Sequence, residues 1–165
     1  MPQDEKGLLL RLKQGGVEFV VIGGVCGILH GITLVTQDLN VCCRFTPENL
    51  RRLESALKDL HPRHRLTANP LPFELTDELC TRLKNVYLKT DIGIIDCLSF
   101  VSGVGDFEQV LKRSIVQSMS YGEFHILDID ALIAAKEAVG RERDLVAVKM
   151  LRAIKEENEK QPKLF

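Results

Sequence analysis

The pattern of hydrophobic and polar positions predicts a chain that alternates between short strands and amphipathic helices. Phe19–Ile22 is apolar throughout, which is typical of a strand covered on both faces. From Thr46 to Leu60 the apolar residues recur at helical spacing, with Thr46 as the N-cap and Pro47 at the first helical position. This alternation predicts a mixed α/β fold, a mixed sheet flanked by helices.

The same patterns place the remaining elements. Helices are predicted over 4–14, 25–30, 106–112, 128–139 and from beyond Gly140 to about Glu156, and strands over 38–44, 85–90, 93–100, 115–119 and 123–127. The proline-containing stretch from His61 to Glu78 is predicted to be a loop with short extended pieces. No repeat or linker interrupts the chain, so we expect one domain over residues 1–156 and a charged, frayed tail over 157–165.

Composition narrows the classes of partner. A net charge of −1 gives no global field that would attract nucleic acid or an anionic membrane. No apolar run approaches the roughly 20 residues that cross a bilayer, so we expect no membrane partner. The cysteines lack the CxxC spacing of zinc sites. We therefore expect a cytoplasmic protein with reduced, buried structural thiols.

A glycine pair follows the first predicted strand. Where a strand runs into Gly23-Gly24 and then a helix, the backbone can approach a phosphate closely. The alternative is that the two glycines serve only the steric needs of the turn.

Three polar positions on later strands point to a metal site. Asp38 and Asn40 are two apart on a strand, so their side chains share one face. Asp96 interrupts an apolar strand, and a buried aspartate requires a cation, a basic partner or several donors. Two or three acidic oxygens around Mg²⁺ would meet that need. The alternatives are a turn aspartate at position 38, paired with Thr36, and an Asp96 bonded to backbone or arginine.

In this order the motifs resemble those of the nucleotidyltransferase superfamily, and within it small bacterial proteins related to the AbiEii-type toxin nucleotidyltransferases. The matching motifs are Gly23-Gly24, His30-Gly31, Thr36-Gln37-Asp38-Leu39-Asn40, Asp96, Leu132–Lys136 and Gly140–Asp144. The likeness runs from about Val17 to about Leu151.

The resemblance implies a set of roles for these residues. It implies that Asp38, Asn40 and Asp96 bind Mg²⁺ or Mn²⁺, and that Asp38 and Asp96 are catalytic. It also implies nucleotide contacts from Gly23, Gly24, Thr36, Lys136 and Arg141. The alternative for Lys136 is a surface lysine paired with nearby acids. The implied reaction transfers a nucleoside monophosphate from NTP to a hydroxyl of a small molecule, protein or RNA.

Two positions depart from the pattern of that superfamily. Asn40 stands where its members usually carry a carboxylate, and Val25 stands where some carry serine. Losing one anion weakens cation binding by more than about 1 kcal/mol at an effective dielectric of about 20. Three hypotheses follow: the transferase, which is favoured, a catalytically degenerate module that binds nucleotide or a protein, and a toxin that is paired with an antitoxin. A homodimer could use the apolar face of the first helix.

Overall fold

A mixed β-sheet organises the structure. The computed structural model describes residues 3–161. The strands are β1 (Phe19–Ile22), β2 (Asp38–Cys43), β3 (Arg63–His64), β4 (Asn85–Thr90), β5 (Gly93–Leu98), β6 (Phe100–Val101), β7 (Gly105–Asp106), β8 (Ser114–Met119) and β9 (Gly122–Leu127). Within the described residues, seven strands form one sheet in the order β3-β4-β5-β2-β1-β9-β8, and β6 pairs with β7 separately. The central strand β2 is antiparallel to β1 and parallel to β5.

Helices cover the sheet, and Thr46 caps its helix as the sequence predicts. They are α1 (Glu5–Gln14), α2 (Gly23–Leu29), α3 (Pro47–Leu57), α4 (Asp77–Arg82), α5 (Phe107–Lys112), α6 (Ile129–Val139) and α7 (Glu142–Lys160). Thr46, Asp106 and Asp128 each accept a backbone N–H from the first turn of their helix. No helix in residues 3–161 is both long enough and apolar enough to span a membrane.

The core lies where the central strands meet the helices. One face of β2 and β5 carries Leu39, Val41, Ile95 and Cys97, each of which is fully buried. All five cysteines are free and buried. The helices α1 and α3 contact each other, while α6 contacts both α2 and α7. The predicted mixed α/β fold with a mixed sheet is therefore confirmed.

The predicted loop between His61 and Glu78 is only partly correct. It holds the two-residue strand β3, and it ends at α4, which begins at Asp77. The Thr76 side chain caps α4 by accepting the N–H of Leu79. This helix was missed because six residues are too few to show helical periodicity.

Several boundaries also differ from the prediction. The strand predicted over 93–100 ends at Leu98, because Phe100 pairs with Asp106 in the small second sheet. The helix predicted from Val25 begins at Gly23. The last helix continues to Lys160 instead of fraying from residue 157, and Lys155 ties it to α6 through a 2.8 Å contact with Asp130. Residues 162–165 of the predicted tail lie outside the described residues.

Candidate functional site

A cleft of about 550 Å³ opens between the ends of the central strands and the α6–α7 corner. Its polar lining includes Gly23, Gly24, Thr36, Asp38, Asn40, Lys136 and Arg141, which are all of the predicted site residues except Asp96. Apolar side chains such as Phe100, Leu132 and Val139 line much of the rest. The structure thus brings residues that are remote in sequence around one cavity.

Strand register places the side chains of Asp38, Asn40 and Asp96 on one face of the sheet. Asp38 and Asn40 on β2 form the polar floor of the cleft. Asn40 is the parallel register partner of Asp96 and the antiparallel partner of Ile22. Asp38 lies two residues before Asn40 on the same strand, so it shares this face. Asp38 and Asn40 are partly exposed, whereas Asp96 is 5% exposed.

The glycine pair makes room for two of these side chains. Gly23 has φ +67°, and a Cβ there would lie 2.7 Å from the amide nitrogen of Asn40. A Cβ on Gly24 would lie 2.7 Å from the hydroxyl oxygen of Thr36. That hydroxyl donates to the backbone carbonyl of Asp38, at 3.1 Å, and leaves the Asp38 carboxylate free of it. Close approach therefore explains both glycines without a ligand.

An arginine from the β3 edge of the sheet pairs with Asp96. Arg65 follows β3, and its Nε donates to Oδ1 of Asp96 at 2.9 Å while its Nη2 donates to Oδ2. The guanidinium also lies 5.6 Å from the ring centroid of Tyr87, whose carbonyl accepts the backbone N–H of Arg65. Both carboxylate oxygens of Asp96 are engaged in a bidentate ion pair. This is the arrangement that the sequence left open as the alternative to a metal ligand.

The charge of Asp38 affects the titration of the buried Asp96. Burial raises the pKa of Asp96, Arg65 opposes that rise, and the nearby Asp38 adds to it. No basic group within residues 3–161 lies within 4.0 Å of the Asp38 carboxylate. Asp38 is therefore the acidic group that the floor presents to the cleft.

The opposite wall is basic. Lys136 is partly buried on α6, and desolvation by that burial lowers its pKa. Within the described part of the chain, no carboxylate lies within 4.0 Å of its Nζ. Arg141 instead donates from its Nε to Asp144 at 2.7 Å. The charge of Asp144 nevertheless counteracts the lowering of the Lys136 pKa. The nucleotide contact from Lys136 stays a prediction.

The donor set does not fit a divalent cation. Of the three predicted ligands, Asn40 is neutral, Asp96 is occupied by Arg65, and Asp38 alone is an uncompensated carboxylate. Within residues 3–161, no group of three His, Cys, Asp or Glu side chains could hold a metal. Mg²⁺ is usually bound through one or two carboxylates together with substrate phosphates. Of the described carboxylates here, only that of Asp38 is free, and the Arg65 guanidinium lies close to it at Asp96, so the site does not provide the negative charge that Mg²⁺ requires.

Three residues of the site were not predicted from the sequence: Arg65, which pairs with Asp96, and Arg143 and Phe100. Arg143 and Phe100 line the cleft. A buried strand aspartate signals that some cation must reach it, but it does not say which one. Arg65 is 31 residues from Asp96, and no spacing rule connects them.

Other polar candidates have structural explanations. The Nε2 of His30 lies 2.8 Å from the carbonyl oxygen of Leu127. The thiol of Cys26 donates to the same carbonyl, and burial raises its pKa to about 12. His61 pairs with Asp91 at 2.6 Å, and His64 packs edge-on against Phe73. These contacts give each side chain a partner within the fold, which is polar for His30, Cys26 and His61 and aromatic for His64.

Comparison with known proteins identifies the architecture. No protein-family model and no curated protein sequence matches this chain. Among solved structures, lincosamide antibiotic adenylyltransferase LnuA, in its lincomycin-bound form, matches with a TM-score of 0.64 at 13% identity, over 93% of this chain and 99% of that one. The chain has the nucleotidyltransferase fold. A finer relationship to AbiEii-type proteins stays a prediction.

Further solved structures share this nucleotidyltransferase fold. An antigenic nucleotidyltransferase-like protein from Paracoccidioides brasiliensis matches with a TM-score of 0.55 at 11% identity, over 93% of this chain and 78% of that one. A proposed nucleotidyltransferase from Thermotoga maritima matches with a TM-score of 0.51 at 14% identity, over 94% of this chain and 91% of that one. At such identities the likeness concerns the fold.

Proposed function

We propose that this chain is a nucleotidyltransferase-fold module that binds a nucleotide through its phosphates, without divalent-cation transfer chemistry. The observation that carries the proposal is Lys136, a partly buried ammonium that lines the cleft, with no carboxylate of residues 3–161 within 4.0 Å of its Nζ. A buried cation without a partner is costly, and an anionic ligand removes that cost. This corresponds to the degenerate-module hypothesis drawn from Asn40.

The charges of the cleft favour phosphate at the helix wall. The lining has three basic residues, Lys136, Arg141 and Arg143, against two acidic ones, Asp38 and Asp144. Asp144 is already compensated by Arg141, while Asp38 lies on the strand side. Phosphates held by Lys136 and Arg143 avoid the Asp38 carboxylate. The apolar part of the lining is then available to the base or sugar.

Calorimetric titration with ATP, GTP, CTP and UTP tests the proposal, first in EDTA and then in Mg²⁺. We expect at least one nucleotide to bind with similar affinity in both buffers. Lys136→Gln should weaken binding by about tenfold, which corresponds to about 1.4 kcal/mol. The matched control is Lys149→Gln, because Lys149 is exposed on α7 and does not line the cleft. Absence of binding by all four, or no effect of Lys136→Gln, contradicts the proposal.

Metal-dependent transfer to a hydroxyl is the second candidate. It is supported by the position of Asp38, which is free of ion pairs within residues 3–161, on the same sheet face as Asp96. Release of pyrophosphate from any NTP in Mg²⁺ or Mn²⁺, lost in Asp38→Asn, would establish it. The hydroxyl acceptor, an AbiEii-type relationship, a toxin role with its antitoxin, and a homodimer all stay predictions. Growth arrest on overexpression would test the toxin role.

A further inference from the structure

The cation that neutralises Asp96 comes from the chain itself. Asp96 is 5% exposed, and a carboxylate at that depth requires a charged partner. Arg65 supplies it through two hydrogen bonds from one planar guanidinium. We infer that Arg65 is an internal counter-cation that takes the place of a divalent ion and prevents one from binding. This inference does not depend on the proposed nucleotide binding.

Arg65 is held in position by contacts on both sides of its side chain. Its backbone N–H donates to the carbonyl of Tyr87 at 3.0 Å, which fixes the residue beside β4. Tyr87 is the register partner of Asp96, so the aromatic ring and the carboxylate that contact the guanidinium come from neighbouring strands. The Arg65 side chain is 28% exposed, which limits competition from water. Such a site selects a planar guanidinium over an ammonium.

The neutral Asn40 amide is the second feature that disfavours a divalent ion at this position. Its nitrogen packs against Gly23 and it is the register partner of Asp96. With Asn40 neutral and Asp96 compensated by Arg65, Asp38 is the remaining negative charge of the three. Removing Arg65 and converting Asn40 to aspartate each add one negative charge at the same place. If Arg65 replaces a divalent ion, the two changes together should create a binding site for one.

Binding of Mn²⁺ alone, followed by electron paramagnetic resonance, tests the inference. The samples are the native chain, Arg65→Gln, Asn40→Asp and the double variant. We expect no saturable binding by the native chain and a gain of at least about tenfold in the double variant. Adding Asp96→Asn to the double variant should remove the gain, which locates the ion. Arg63→Gln is the matched control, because Arg63 is exposed on β3.

The outcomes separate the inference from its alternatives. It is overturned if the native chain binds Mn²⁺ as tightly as the double variant does, or if a folded double variant binds none. If Arg65→Gln does not fold, the native chain still provides a test through paramagnetic broadening of its amide NMR signals. Absence of selective broadening at Gly23, Asp38 and Asp96 then supports the inference. Strong broadening at those amides refutes it.

Discussion

Two arginine–aspartate pairs near the cleft differ in what each achieves. Arg65–Asp96 joins residues 31 apart and ties the segment after β3 to β5. Arg141–Asp144 joins residues three apart and caps the first turn of α7. In the first pair, the arginine side chain is 28% exposed and the aspartate 7%, whereas in the second the corresponding values are 57% and 5%.

From this difference we expect the two arginine–aspartate pairs to contribute very different amounts to the free energy of unfolding. Breaking a pair costs most when the charge that remains is buried and cannot be rehydrated. Removal of Arg65 leaves a buried carboxylate, whereas removal of the Asp144 charge leaves an arginine that water already reaches. The first pair should therefore matter to the whole fold, and the second mainly to one helix end.

The largest expected effect is that of Arg65→Gln. It should lower the free energy of unfolding by roughly 3 kcal/mol, because Asp96 stays buried without its cation. Urea denaturation measures this loss. The Arg63→Gln control should change stability by less than about 0.5 kcal/mol. Adding Asp96→Asn to Arg65→Gln should restore most of the loss. A loss below about 1 kcal/mol for Arg65→Gln would remove the contrast between the two pairs.

A smaller effect is expected from Asp144→Asn. Asp144 accepts hydrogen bonds from the backbone N–H and the Nε of Arg141, so the change weakens a charged cap. We expect a loss of about 1–2 kcal/mol by urea denaturation. Glu156→Gln serves as the control, since Glu156 is exposed further along α7. If Asp144→Asn lowers the free energy of unfolding as much as Arg65→Gln does, burial of the charge that remains does not determine the loss.

The dependence on pH should distinguish the two aspartates. Burial alone would raise the pKa of Asp144, but Arg141 outweighs it and the pKa lies below its ordinary value. The stability from ionised Asp144 is therefore full above the unfolded carboxyl pKa of about 4, and is lost as pH falls through the folded value. Burial raises the pKa of Asp96 instead. As pH falls, the loss of unfolding free energy caused by Arg65→Gln should therefore begin to decrease at a higher pH than the loss caused by Asp144→Asn. Urea denaturation at a series of acidic pH values would measure both. The opposite order would be inconsistent with these shifts.

The smallest expected effect comes from a pair in which both partners are solvated. Arg152 and Glu137 link α7 to α6 at 3.1 Å, with side chains 57% and 48% exposed. Glu137→Gln should cost no more than about 0.5 kcal/mol, and added salt should remove the difference. Thermal unfolding at low and high salt measures it. A salt-independent loss above about 1 kcal/mol would show that exposure is a poor guide to the value of these pairs.

Much of the fold could be predicted from the sequence because its signals are local. Thr46 occupies a cap position, followed by Pro47 at the first helical position, that the sequence indicates directly. The shared face of Asp38 and Asn40 follows from strand geometry alone. The sequence also indicated that Asp96 would be buried and in need of a partner, which is what the structure shows.

The choice of partner for Asp96 could not be predicted. Arg63 and Arg65 are both basic residues in the same predicted loop, and only the fold shows which one reaches β5. In a regular strand, Arg63 and Arg65 would point to the same face. Because β3 ends at His64, strand geometry does not determine the direction of the Arg65 side chain. Gly23 shows the same limit, because a need for close approach was evident but the approaching group is Asn40 of the chain itself.

The buried cysteines provide natural positions at which local opening of the structure can be followed. All five thiols are buried, and the thiol of Cys26 is also held by a backbone carbonyl. Alkylating reagents react with thiolates that solvent can reach, so in the native protein these side chains should react only when the structure opens. The rate of modification would then report how often the structure opens around each cysteine, on β2 and β5 and on the helices α2 and α4. Mass spectrometry would assign each event to its own cysteine.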